Sequence, residues 1–385
     1  MSIFDEVVDR RNTGSVKWDH ALNEETICMD WADMDFKAPE KVIGAMKAAA
    51  DFGVYGYVQP DDHWYQTITS FCSRRYGWSC QPEWLSYTPG VISALAAAVE
   101  AFTEPGDKVI IQSPVFVRFR DVVESNRRIV SDSCLKFDGT RYTMDFEDLE
   151  QRAADPDTKL FLLCSPHNPV CRVWTQEELK RAGDICLKHQ VIMVVDEIHC
   201  DMIFQPYRHH TFASLGEEYA MNSVICLSTS KTFNLAGLQT AVAAIPNLSL
   251  KQKFDQVLHS RDISRPTLFG QEAMRAAYQY GDTWLDELIQ YIQGNFEYTY
   301  HKINGATDQM RVIDSEGTYL AWIDCSGLGL NSNEIQPFFL NQANVSLTSG
   351  AACGPGGEQF IRMNLAYPRS VVTEAVTRLL KAIHK

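Results

Sequence analysis

The chain contains no C-x-x-C pair, so the usual cysteine framework for zinc or thiol–disulfide chemistry is absent. Its eleven cysteines are odd in number and irregularly spaced, which argues against a disulfide scaffold. Cys164, Cys186 and Cys226 fall within apolar runs, where a free thiol behaves as a small hydrophobe. The first residues lack an apolar signal core and no apolar run is long enough to span a bilayer, so no membrane association is expected. A reducing cytoplasm is the expected location. There is no basic patch with interleaved aromatics, and a net charge of −14 speaks against a nucleic-acid surface. Repeats, low-complexity tracts and obvious linkers are also missing, so the parts of the chain should pack closely.

What is present suits a soluble globular protein of 385 residues, with 45% hydrophobic and 22% charged residues. That length allows one large and one smaller domain. The first 35 or so residues close on an aromatic and acidic cluster, Met29 to Phe36, too irregular for a helix face. This reads as an ordered arm laid over another surface, that of a partner subunit being one option. Helical spacing follows over 38–51 and 61–76, flanking a loop rich in glycine and tyrosine at 53–57. From residue 87 onward, short apolar runs alternate with helical segments. Runs at 109–111, 159–164, 191–195 and 223–227 read as buried strands, and Thr175 with Glu178 forms a capping box for a helix ending near 188. Continuous apolar strands separated by helices indicate a mostly parallel sheet covered on both faces. Residues 246–303 read as helical, and short strands plus a last helix over 370–384 form a separate α+β unit. The expected organisation is an N-terminal arm with part of the small domain (1–45), a large domain (46–280) and a small C-terminal domain (281–385).

In such sheets ligands sit beyond the carboxyl ends of the strands. Here those ends carry chemistry: Ser165 to Pro169 after one strand, Asp196 to His199 after the next, Ser228, Ser230 and Lys231 after a third. A lysine directly after a buried strand loses hydration, which favours its neutral, nucleophilic amine and suits a Schiff-base lysine; alternatively it snorkels to solvent. Asp196, at a strand end, is costly to bury without a partner: it is a helix cap, a salt bridge to an arginine, or the partner of a protonated pyridine nitrogen whose charge lets a ring absorb electrons. Pro89 and Gly90 lead into an Ala-rich helix whose first turn, at Val91 and Ile92, can hold a phosphate. With Asn168 as donor to a ring oxygen, this set matches pyridoxal 5′-phosphate.

Seven motifs now carry a resemblance: Trp-Ala-Asp-Met-Asp-Phe at 31–36, Tyr-Gly-Tyr at 55–57, Thr-Pro-Gly-Val-Ile at 88–92, Ser-Pro-His-Asn-Pro at 165–169, Asp-Glu-Ile-His at 196–199, Ser-Lys-Thr-Phe-Asn-Leu-Ala-Gly at 230–237 and Phe-Ile-Arg-Met-Asn at 360–364. The chain resembles the fold-type I pyridoxal-phosphate enzymes of the class I/II aminotransferase superfamily, and within them the cystathionine β-lyase and cystalysin-like C–S lyases. The resemblance implies an aspartate aminotransferase-like α/β fold with a seven-stranded-type sheet. It implies Lys231 as the catalytic, cofactor-bearing residue, Asp196 on the ring nitrogen and Asn168 on the ring oxygen. Val91, Ile92, Ser228 or Ser230, and Tyr57 from a neighbouring subunit, would hold the phosphate. Phe116 and His199 would line the ring, and Arg362 would clamp the substrate carboxylate, with Tyr57 also reaching substrate. It further implies a homodimer with shared sites and a small amino-acid substrate.

Two positions depart from the family. Phe116 stands where a ring-stacking tyrosine is usual, keeping the surface but losing the hydroxyl. Cys171 stands where the family has glycine, so a positive φ there would be strained; a redox or covalent role for its thiol is an alternative. The expected reaction is β-elimination from an L-cysteine S-conjugate. An aminotransferase and a regulatory interaction protein on the same scaffold are the competing readings.

Overall fold

The computed structural model describes residues 2–19 and 21–384. Seven strands form the central sheet: β1 (Leu85–Thr88), β2 (Lys108–Ile111), β3 (Ile129–Asp132), β4 (Thr158–Cys164), β5 (Ile192–Asp196), β6 (Ser223–Leu227) and β7 (Ala241–Ala244). Their order is β1-β7-β6-β5-β4-β2-β3. Only β7 runs against its neighbours; the pairs β6–β5, β5–β4, β4–β2 and β2–β3 are all parallel. The mostly parallel α/β sheet expected from the sequence is therefore present.

Period-two alternation explains why these strands read as unbroken apolar runs. Leu160, Leu162, Val194, Val224 and Cys226 face one buried cluster, built with helix α1 (Val91–Phe102). Phe161, Leu163, Met193, Val195 and Ile225 face the other. Both faces are buried, so no polar alternation is needed. Two strands escaped the sequence reading. Strand β3 sits on an edge and begins on the exposed Ile129. Strand β7 is made mainly of alanine, which has little strand preference of its own; its position between β1 and β6 imposes the conformation.

The capping box forms as expected: Thr175 Oγ1 accepts from Glu178 N–H at 3.1 Å, and Glu178 Oε2 accepts from Thr175 N–H at 2.8 Å. Helices Leu248–Ser260, Leu268–Tyr280 and Asp282–Asn304 occupy the expected helical region. A second, antiparallel sheet follows: β8 (Arg311–Val312), β9 (Leu320–Asp324), β10 (Thr348–Ser349) and β11 (Phe360–Asn364), ordered β8-β9-β11-β10. Helix Arg369–Ile383 closes the chain's secondary structure.

The N-terminal arm lies on its own chain. Ile27 and Cys28 pair in parallel with Val345 and Ser346. The buried Lys17 meets Asp33 at 2.9 Å and Asp35 at 3.0 Å, and Arg10 meets Asp33 at 2.8 Å. Two cations thus neutralise the two carboxylates of the 31–36 motif, which lets Asp35 be buried and Asp33 partly buried.

Candidate active site

Because β1, β2, β4, β5 and β6 run the same way, their carboxyl ends share one edge, where a cavity of about 360 Å³ opens. Val91, Ile92, Phe116, Asn168, Asp196, His199, Ser230 and Lys231 all line it. Three other expected residues sit differently. Ser228 is buried behind the wall: its hydroxyl donates to Thr240 C=O at 2.7 Å and accepts from Ser230 N–H at 3.0 Å, capping the turn Thr229–Thr232. Arg362 enters from β11 and donates to Asn168 Oδ1 at 3.1 Å. Tyr57 is 96% exposed and lies outside its own chain's cavity.

The Lys231 ammonium donates to the carbonyl of Ala32. Burial depresses its pKa to about 8, helped by the charges of Arg362 and Lys17 and opposed by Asp33 and Asp196. Burial raises Asp196 to about 7, against the Ile198 N–H bond at 3.0 Å and the attraction of Lys231. The two groups therefore sit near neutrality from opposite sides. Burial also depresses His199 to about 3, so the ring is neutral; its Nδ1 has no partner among the described residues, and its ring packs on Tyr319 at 5.4 Å between centroids.

Arg362 is 4% exposed. Besides Asn168, its guanidinium donates to Asp30 C=O at 2.8 Å and Thr348 Oγ1 at 3.1 Å, while Nε has no acceptor among the described residues. A buried guanidinium N–H left without an acceptor is a donor suited to an anion. Asn168 accepts from Arg362 through Oδ1, which leaves its amide N–H groups as donors. At the other end Gly90 has φ +100°, carries no capping side chain, and a Cβ placed there would meet nothing within 4 Å. The first-turn N–H groups of α1 have no helical acceptors, so backbone donors and empty space coincide at a helix N-terminus. The donor set fits pyridoxal 5′-phosphate: a phosphate cradle, an amide, a carboxylate and an amine around one cavity.

Sequence reading missed the contributors that act through the backbone or lie outside the motifs' polar residues. Ala32 uses its carbonyl, also bonded by Tyr319 OH at 2.8 Å; Gln239 and Thr240 line the cavity just beyond the lysine motif. Asn364 fixes the same arm, donating to Trp31 C=O at 2.7 Å and Asp33 C=O at 2.6 Å. Ala32 and Asn364 lie within quoted motifs, which was the available signal.

Cys171 has φ +59°, the strained conformation considered from the sequence. Its thiol approaches Pro169 C=O at 3.0 Å and Leu320 C=O at 3.2 Å, accepts from Thr318 Oγ1 at 3.4 Å, and is pushed up to about 11 by burial. It is a protonated donor in the core and does not line the cavity.

Residues 26–379 match the aminotransferase class I and II family, and the chain belongs to it. Cystathionine β-lyase PatB of Bacillus subtilis is 39% identical over 385 residues, covering 99% of each chain. Protein MalY of Escherichia coli is 31% identical, covering 99% of this chain and 98% of its own. The solved structure of cystalysin from Treponema denticola, which contains pyridoxal 5′-phosphate, superposes with a TM-score of 0.96 at 34% identity over 99% of this chain and 98% of that one. Within the family the chain falls in the branch of pyridoxal-phosphate carbon–sulfur lyases.

Proposed function

We propose that the chain cleaves L-cystathionine or a related L-cysteine S-conjugate by β-elimination, giving a thiol, pyruvate and ammonia. The likeness to cystathionine β-lyase PatB and cystalysin carries the choice of reaction, and the site accords with it: the Lys231 amine shares a cavity with the buried Asp196 carboxylate, next to an arginine with an unused N–H. Pyridoxal 5′-phosphate, when bound, supplies a ring that accepts the electron pair left on a substrate carbon.

The chain's own residues do the rest. Lys231 would carry the cofactor and, once displaced by substrate, move the Cα proton; its depressed pKa brings it closer to a working base at neutral pH. Asp196 would stand against the ring nitrogen, where a cation repays its burial. Asn168 would donate to the ring oxygen, with Phe116 and His199 lining the ring. Val91 and Ile92 would hold the phosphate through their N–H groups, aided by the Ser230 hydroxyl, with Ser228 fixing Ser230 from behind. Arg362 would grip the substrate carboxylate with the N–H it leaves free.

Tyr57 would complete the phosphate and substrate contacts of a second copy. Phe52, Val54, Tyr55 and Tyr57 are all exposed on one short loop, an apolar surface suited to a homodimer. The division into an arm and part of the small domain (1–45), a large domain (46–280) and a small domain (281–385) is proposed with it. A cytoplasmic location accords with eleven free cysteines, ten of them buried. No helix among the described residues is long and apolar enough to cross a membrane.

The test is release of thiol and pyruvate from a panel of cysteine conjugates with no keto acid added. Equal release of both supports the lyase. Turnover only on addition of a keto acid would replace it with the aminotransferase reading.

A further inference from the structure

We propose that Asp201 is a positioning residue for Lys231, acting through the hydroxyl of Thr232. The inference rests on Lys231 being the cofactor-bearing residue. Lys231 sits in a single four-residue turn, Thr229–Thr232, too short to hold its geometry by its own hydrogen bonds. Ser228 fixes the turn's start. At its end Thr232 Oγ1 donates to Asp201 Oδ2 at 2.7 Å, and from a separate helix Tyr76 OH donates to Asp201 Oδ1 at 2.8 Å. Cys200 Sγ lies 3.1 Å from the same tyrosine oxygen.

Asp201 is 5% exposed and Thr232 fully buried, and neither lines the cavity. Two hydroxyls arriving on different carboxylate oxygens is the pattern of an acceptor-only, ionised group. Burial raises the pKa of Asp201, while Thr232, Tyr76 and the charges of Arg75 and His209 favour ionisation. An interior carboxylate is expensive, and a neutral side chain could fill the space. What the carboxylate adds is a strong, directional anchor for the residue bonded to Lys231. The amine itself is faced by Asp33, Arg362, Asp196 and Lys17, none of them on that turn.

The full chain is loaded with pyridoxal 5′-phosphate, as wild type, Thr232→Val, Thr232→Ser and Asp201→Asn. Borohydride trapping of the cofactor on Lys231 is followed by mass across neutral to alkaline pH, alongside kcat and KM. Loosening the turn lets the ammonium reach water, so in Thr232→Val the trapping midpoint should move up toward the ordinary lysine range. Misplacement of the amine should lower kcat on the order of 10- to 100-fold, with KM unchanged. Thr232→Ser should restore both readouts, and Asp201→Asn should reproduce the valine effect. A folded Thr232→Val with wild-type midpoint and kcat would overturn the proposal; if valine prevents folding, Asp201→Asn decides by the same two readouts. Wild-type protein that takes no label at Lys231 would instead overturn the functional reading beneath it.

Discussion

Replacing Asp196 by asparagine should make the cofactor-free protein more stable at pH 8 while ruining its chemistry. Asp196 is 5% exposed, and burial lifts its pKa from 3.8 to about 7. The native state therefore binds more protons than the unfolded state between these two values, so stability falls as pH rises through that window. Below the unfolded value the penalty is absent; above about 7 it is fully present. At roughly 1.4 kcal/mol per pKa unit, the full penalty is up to about 4 kcal/mol. Asparagine nearly matches the shape and carries no charge, so it escapes this penalty. Denaturant unfolding of cofactor-free wild type and Asp196→Asn at pH 8 and at pH 4 measures it. The variant should be more stable at pH 8, with the gap closing toward pH 4. Equal stability at pH 8, or a gap that widens in acid, would refute the reasoning. Added pyridoxal 5′-phosphate should then stabilise the wild type more than the variant, because only the carboxylate gains a cationic partner.

Lys231→Ala should fold, bind the cofactor without a covalent bond, and show no borohydride-stable label by mass. Arg362→Lys should raise KM roughly 10- to 100-fold, because a point charge replaces a planar fork at a carboxylate; steady-state kinetics checks it, and an unchanged KM would remove Arg362 from substrate binding. Gly90→Val should weaken cofactor binding and cost roughly 1–3 kcal/mol of stability, since a β-branched residue is strained at φ +100°; cofactor titration and denaturation report the two effects. Tyr57→Ala should reduce activity in the assembled protein with little change in unfolding midpoint, as its side chain is 96% exposed.

The large sheet was legible because strands buried on both faces write themselves as apolar runs, and each run ends in residues with little reason to be there except chemistry. Lys231, Asp196 and Asn168 could be found that way. Strand β7 could not: three of its four residues, Ala241 to Ala244, are alanine, which carries little strand signal. Arg362 became a candidate only through resemblance, because an arginine on a strand has no local signature of its unused N–H. The two serines show a finer limit, since spacing could not separate Ser230, on the cavity wall, from Ser228, which caps the turn behind it. The arm was ambiguous for a similar reason. The cations that neutralise its acidic cluster, Lys17 and Arg10, stand well before Asp33 and Asp35 in the sequence, so the pairing could not be read from the cluster itself. The carbonyl of Ala32 that receives Lys231 belongs to the backbone, so no residue type could announce it.

The most direct measurement follows thiol and pyruvate together from L-cystathionine, using cofactor-loaded protein and no keto acid. The expected result is equal amounts of both from the wild type and neither from Lys231→Ala. Release by the lysine variant at the wild-type rate, or thiol without pyruvate, would contradict a carbon–sulfur elimination centred on Lys231.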